Sequence, residues 1–247
     1  MKKILFSLFL MVYSIGIAHA QGFAFGVKGG LTAGFQQWNN FERDPLLSWH
    51  GIAFIESLTE DNAFSLFAQA GFHNRGSAIR IRSGAFRDPV TGDIVNFRGR
   101  TTRYEFYNAS LSAGGKQKFA LDDNKFYYYM IGIRGDYNLG TNLDDLGGSN
   151  VFFRSNPFFP QDGFVRDFTF GFILGGGLEF QFQELIGGLL EVSINPDFTK
   201  QYEQPPIRNV YNPFTGNNDT LGETSVRNIT IEISLGIRLL NKVEYID

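Results

Sequence analysis

Asn228-Ile229-Thr230-Ile231-Glu232-Ile233-Ser234-Leu235-Gly236-Ile237-Arg238-Leu239-Leu240 alternates cleanly up to its last residue. Ile229, Ile231, Ile233, Leu235, Ile237 and Leu239 fall on one side; Asn228, Thr230, Glu232, Ser234, Gly236 and Arg238 fall on the other. A period of two marks a strand with one apolar and one polar face. A soluble sandwich buries the apolar face, whereas a membrane barrel turns it to lipid and keeps the polar face inside.

Seven earlier segments carry the same period. They are Phe23 to Gln36, Trp49 to Leu58, Ala63 to about His73 with an extension through Ile79-Arg80-Ile81-Arg82, Tyr104 to Lys118, Lys125 to Tyr137, Phe168 to Phe182, and Ile186 to Asn195. The connectors alternate in length. Those at Thr59–Asn62, Leu121–Asn124 and Gln183-Glu184 are short, and the rest are long. Short turns on one side and long loops on the other are the rule of outer-membrane barrels, with both termini periplasmic. All eight prolines lie in or beside the long connectors, as an unbroken ladder requires. The expected fold is an eight-stranded antiparallel up-and-down transmembrane β-barrel.

The N-terminus agrees with that destination. Lys2 and Lys3 precede a mostly apolar run from Ile4 to Ala18, and Ala18-His19-Ala20 is an A-x-A cleavage pattern. Residues 1–20 are expected to be a signal peptide and 21–247 the barrel, in a bacterial outer membrane. No later segment approaches the ~20 apolar residues of a membrane helix. Asn241 to Asp247 is expected to add no periplasmic domain, and Tyr245 is its nearest candidate for a terminal aromatic.

Composition narrows the task. Without Lys2 and Lys3 the chain has 20 basic and 25 acidic residues, a net of −5, which argues against a nucleic-acid partner. Cysteine is absent, excluding disulfides, thiol catalysis and thiolate metal sites. The 27 phenylalanines suit the aromatic girdles of a barrel, and the 29 glycines suit tight curvature around a crowded interior.

Two stretches carry a family resemblance. Gly26-Val27-Lys28-Gly29-Gly30-Leu31 resembles the G-x-K-G-G opening strand of the PorT-like outer-membrane β-barrel family of Bacteroidota. Asp167-Phe168-Thr169-Phe170-Gly171 through Gly175-Gly176-Gly177-Leu178-Glu179 resembles that family's D-F-G and G-x-G strand. The usual Ile-Pro of the fourth strand and Arg-Tyr of the seventh are missing. The resemblance implies the barrel fold and, through PorT itself, an accessory role in type IX secretion.

Four groups are candidate sites. Lys28, Arg134, Asp136, Asp167, Glu179, Glu191, Glu232 and Arg238 fall on inward positions, where mixed charges pair and fill a narrow lumen. An ion path through them is the alternative. Arg75, Arg80, Arg82, Arg87, Arg98, Arg100 and Arg103 fall in one expected surface connector. Guanidinium forks suit lipopolysaccharide phosphates or an acidic protein face; their other expected partners are the loop acids Asp144, Asp145, Asp162 and Asp219. His50 and His73 flank the 59–62 turn, with His50 expected opposite Gly71 and His73 opposite Ser48, and Glu56 deeper. They are expected to be polar lining of the lumen; the alternative is a metal site or, with Ser48, a lipid hydrolase, for which the sequence shows no third ligand or oxyanion hole. Asp88 to Asp93 and Asn212 to Asn217 share the pattern [DN]-P-x-T-G-[DN], which predicts two outward hairpins.

Neither glycine run precedes a helix, so a phosphate-binding loop is not expected. The expected function is non-enzymatic, a structural or interaction role in the cell envelope. No metal or cofactor is expected, and the partners are outer-membrane lipid, lipopolysaccharide or another envelope protein. A lipid-modifying enzyme and a small-solute pore are the alternatives.

Overall fold

The computed structural model describes residues 22–39, 43–58, 63–87, 92–146, 160–211 and 216–242. The signal segment, the 59–62 turn, the Pro89 and Pro213 turn centres and Tyr245 lie outside the described residues.

Eight strands close into a ring: β1 Gly22–Trp38, β2 Asp44–Leu58, β3 Phe64–Ile81, β6 Arg100–Asp122, β7 Lys125–Thr141, β8 Phe168–Gln181, β9 Ile186–Pro196 and β13 Thr224–Lys242. Each pairs antiparallel with the next, and β1 pairs with β13 from Gly22↔Lys242 to Trp38↔Val226. Closure leaves no unpaired edge, so every ladder group is satisfied without water. Among the described residues no helix is long and apolar enough to cross a membrane. The short links Asp123-Asn124 and Phe182–Leu185 lie at the end that holds Gly22 and Lys242, which is therefore the periplasmic end.

The outer wall is apolar and exposed: Leu31 is 64% exposed, Leu111 69% and Leu235 67%. Aromatic residues gather near both rims. Phe23, Phe64, Phe119 and Tyr127 lie toward the periplasm, whereas Phe35, Trp49, Tyr137 and Phe168 lie toward the outside. Phe119 stacks on Tyr127 at 4.9 Å between centroids, and Tyr137 meets Phe168 at 4.9 Å. Polar side chains are buried inside. An apolar exterior around a polar interior is the polarity of a membrane barrel and inverts that of a soluble one.

The strands run on beyond the apolar belt at the external end. β3 and β6 pair from Phe64↔Gln117 to Ile81↔Arg100, so the expected extension of the third strand is one continuous ladder. β2 begins at Asp44, earlier than the alternation suggests, and Pro45 lies inside it, opposite Ser77 at a register slip. A slip is where a ladder tolerates proline. β4 Gly84–Arg87 pairs with β5 Ile94–Phe97, and β11 Ile207–Tyr211 pairs with β12 Asn218–Leu221, giving the two expected hairpins. The short β10, Tyr202–Gln204, joins β13, and α1, Leu143–Leu146, covers the mouth. Trp38, Tyr104, Phe106, Leu143, Tyr202 and Val226 form a small apolar core there.

Candidate functional site

The lumen is a closed electrostatic system. Among the described residues its buried charged side chains are six cations (Lys28, Arg75, Lys116, Lys118, Arg134 and Arg238) and six carboxylates (Glu56, Asp136, Glu179, Glu191, Asp197 and Glu232). Strand parity explains the placement: every second residue of a closed sheet faces inward.

The groups form tiers. Nearest the periplasm, Lys116 Nζ reaches Glu56 at 2.8 Å and Glu179 at 3.1 Å. Lys118 bridges the same two carboxylates, and Arg238 donates to Glu179. Ser65 Oγ donates to Glu56 at 2.7 Å. Above them Lys28 Nζ meets Glu191 at 2.5 Å, and the Tyr128 hydroxyl donates to Glu191 at 2.7 Å. Next come the two histidines, stacked at 5.6 Å with ring planes 12° apart. Higher still, Arg75 donates to Asp136 at 2.6 Å and Arg134 Nε to Asp136 at 2.8 Å, while Arg134 also pairs with Asp197.

The mouth is plugged by the apolar core, with the Arg43 guanidinium 3.3 Å from the Trp38 ring centroid and 3.8 Å from that of Tyr104. Burial pulls the Arg43 pKa down to about 10. The cavity among Gln69, His73, Arg134, Asn195 and Glu232 holds no more than about one water.

Of the expected lumen charges, Lys28, Arg134, Asp136, Glu179, Glu191, Glu232 and Arg238 are inside and paired. Asp167 is not. It lies one residue before β8, above the last rung of the β7–β8 ladder at Tyr137↔Phe168, and its side chain is exposed at the rim. Arg75 also departs from expectation. It is fully buried in the lumen and absent from the surface, because β3 continues past it and its parity matches His73. Lys116 and Lys118 join the lumen set as well, on the same parity as Ser110 and Ser112. Asp197 is also buried and paired with Arg134, two residues past the expected end of its strand at Asn195.

The six remaining arginines, Arg80, Arg82, Arg87, Arg98, Arg100 and Arg103, are exposed on the β3–β6 extension and its hairpin. Arg80 donates to the Pro45 carbonyl at 3.1 Å. Arg103 approaches Glu105 at 3.8 Å, the one ion pair these six make among the described residues.

The histidines sit in direct register, His50↔His73, two residues from the expected pairing, because the β2–β3 link is centred one residue later than the polar turn suggests. Ser48 donates to the Asn74 carbonyl and leaves the histidines alone. His50 Nδ1 shares a 2.9 Å hydrogen bond with Thr32 Oγ1 and Nε2 a 2.7 Å bond with Ser234 Oγ; His73 Nδ1 meets Glu232 at 2.7 Å. The serine-bonded histidine therefore has no carboxylate behind it, and both rings are sealed between charged tiers. Among the described residues no cluster of His, Cys, Asp and Glu could hold a metal ion.

No protein-family model matches this chain, and no curated protein matches it in sequence. Solved structures are similar in shape. Ail, the attachment invasion locus protein of Yersinia pestis, in complex with the heparin analogue sucrose octasulfate, is 12% identical over 88% of this chain and 98% of its own, with a TM-score of 0.41. Neisserial surface protein A is 11% identical over 88% and 96%, with a TM-score of 0.42. The outer membrane protein OprG from Pseudomonas aeruginosa is 10% identical over 89% and 97%, with a TM-score of 0.43. At these values the likeness carries no argument of its own. The fold rests on the closed ladder. The wall, apolar outside and charged inside around eight strands, makes the chain an outer-membrane barrel.

Proposed function

We propose that this barrel is a non-enzymatic envelope protein that holds an anionic partner through the arginines of its β3–β6 extension. The observation that carries this reading is their exposure: six guanidinium groups stand on a folded arm above the membrane belt, with one long ion pair among them. A guanidinium fork recognises phosphate or carboxylate bidentately, and a folded arm loses less entropy on binding than a loose loop. The candidate partners are lipopolysaccharide phosphates and an acidic protein face. The narrower version, an accessory of type IX secretion, rests on the resemblance of Gly26–Leu31 and Asp167–Glu179 to the PorT-like strands.

The lumen favours this reading over a pore, since paired charges fill it and an apolar core closes its mouth. The purified protein in a planar bilayer is expected to show no step conductance; regular open-channel steps would return the pore to first place.

The partner test is a mild-detergent pull-down of a tagged copy from its own envelope, identified by mass spectrometry. Changing Arg82, Arg87, Arg98 and Arg100 to serine is expected to reduce the captured partner by about tenfold or more, since each charge-assisted bond contributes about 1.5–3 kcal/mol. Undiminished capture by the substituted barrel would overturn the proposal.

A further inference from the structure

β1 and β13 leave the apolar belt at the same rung. On β1 the outward positions are apolar or glycine from Phe23 to Phe35, and Gln37 is the first polar one. On β13 they are apolar from Leu239 back to Ile229, and Arg227 is the first polar one. Phe35 pairs with Ile229, and Gln37 with Arg227, so the change comes at one height on both strands. That height is the outer boundary of the hydrocarbon, where lipid headgroups begin.

A cleft of about 280 Å³ opens there, lined by Gln37, Trp38, Asn39, Lys200, Ser225 and Arg227. Its free hydrogen-bonding capacity is mostly donor. Arg227 is exposed and has no ion-pair or hydrogen-bond partner for its side chain among the described residues, which leaves five N–H groups. Gln37 adds an amide and Ser225 a hydroxyl on the same outward face. Lys200 directs Nζ to Glu203 at 2.9 Å and to Glu223 at 2.8 Å. Its pKa is raised, first by the hydrogen bond it donates to Glu223 and then by the one it donates to Glu203, so it remains charged. Arg166 also pairs with Glu203. The two carboxylates near the cleft are thus occupied by Lys200 and Arg166, and Arg227 is the uncompensated charge.

We propose that this cleft is a binding site for the phosphate of an outer-leaflet glycolipid, whose acyl chains lie down the seam over Phe35, Ile229 and the apolar rungs beneath. Arg227 grips the phosphate with its fork, and Gln37 and Ser225 add neutral donors. The site deepens the outer-membrane reading and rests on it, but it is separate from the arginine arm, which stands on β3–β6. A lipid is the occupant because the cleft opens at headgroup height, directly above a wall that only lipid covers.

The test uses the full mature barrel in detergent, titrated with diphosphoryl lipid A or with the same lipid A stripped of phosphate, and bound lipid is counted by native mass spectrometry. Gel mobility with and without heating verifies folding of each variant. The intact barrel is expected to bind diphosphoryl lipid A and to bind the stripped lipid about tenfold or more weakly. Arg227→Ser is expected to reduce binding of the phosphorylated form by a similar factor. Arg227→Lys retains the charge without the fork and is expected to fall between. A barrel with Arg87, Arg98 and Arg100 changed to serine is expected to keep the lipid A that depends on Arg227, and adding Arg227→Ser to that barrel is expected to remove it, which separates this site from the arm. Equal binding of the two lipids, or an Arg227→Ser barrel that keeps its phosphorylated lipid, would overturn the site. So would loss on the arm variant with retention on Arg227→Ser, which would move phosphate recognition to the arm.

Discussion

Asp136→Ala is expected to destabilise the folded barrel by about 3–5 kcal/mol, the cost of removing one partner from a buried ion pair. Among the described residues Asp136 is the only side-chain partner of Arg75, a fully buried arginine whose remaining guanidinium nitrogens have no partner there. It also accepts from Arg134 Nε at 2.8 Å and from Ser110. Without it, Arg75 is a desolvated cation facing a second cation.

Removing Arg75 should cost less. In Arg75→Ala, Asp136 still holds Arg134, and Arg134 still holds Asp197. Replacing both, as Arg75→Met with Asp136→Leu, leaves Arg134 and Asp197 matched one to one, and the double variant is expected to recover most of the loss. Urea unfolding in micelles, followed by the heat-sensitive gel shift, measures all three. If Asp136→Ala unfolds at the native urea concentration, or Arg75→Ala proves the more damaging, the lumen is not held by this pairing.

What the sequence reveals is the membrane-spanning part of each strand, because there the two faces meet opposite solvents. Ile229 to Leu239 faces lipid while Asn228 to Arg238 faces the lumen, and the alternation follows directly. The signal fails where both faces are buried in protein. On β3, Asn74, Gly76 and Ala78 are as buried as Arg75 and Ser77. β1 and β3 meet there, past the slip in β2, and a methyl added to Gly34 would lie 2.5 Å from the Gly76 carbonyl oxygen. With no polarity contrast, His73 to Ala78 loses its period, and Arg75 looks like a surface residue.

Asp167 fails for the opposite reason. It alternates correctly with Thr169, and its carbonyl accepts from the Asn138 N–H at 2.7 Å, but it lies past the last paired rung of β7 and β8, where its side chain is exposed at the rim. The lumen set was legible as parity alone; who pairs with whom was not, since Lys28 finds Glu191 and Arg75 finds Asp136 across the barrel. Such contacts depend on closure, which no local pattern encodes.

Gly30→Val is expected to damage the barrel nearly as much, and through the backbone alone. Gly30 faces inward on β1 between Lys28 and Thr32, paired with Ser234 on β13 and with His50 on β2. A Cβ built there would overlap the Ile233 carbonyl oxygen of β13, a backbone atom that cannot rotate away. An open sheet could relieve the overlap by splaying its edge. Here β1–β13 is the seam that closes the ring, so movement of either strand breaks rungs on both sides of it. The expected cost is about 1–3 kcal/mol or more, the range for overpacking a tight interior.

Gly51 provides the control. It lies on the outward face of β2, and a Cβ there meets no atom within 4 Å. Gly51→Ala restricts only the unfolded chain and is expected to be neutral or to stabilise by about 0.4–1 kcal/mol. Opposite shifts of the two unfolding midpoints would mean that glycine is required where the seam closes and dispensable on the lipid wall. A Gly30→Val barrel that folds and unfolds like the native one would mean the seam can open by the width of a side chain, and the lumen then has room that its packed charges do not suggest.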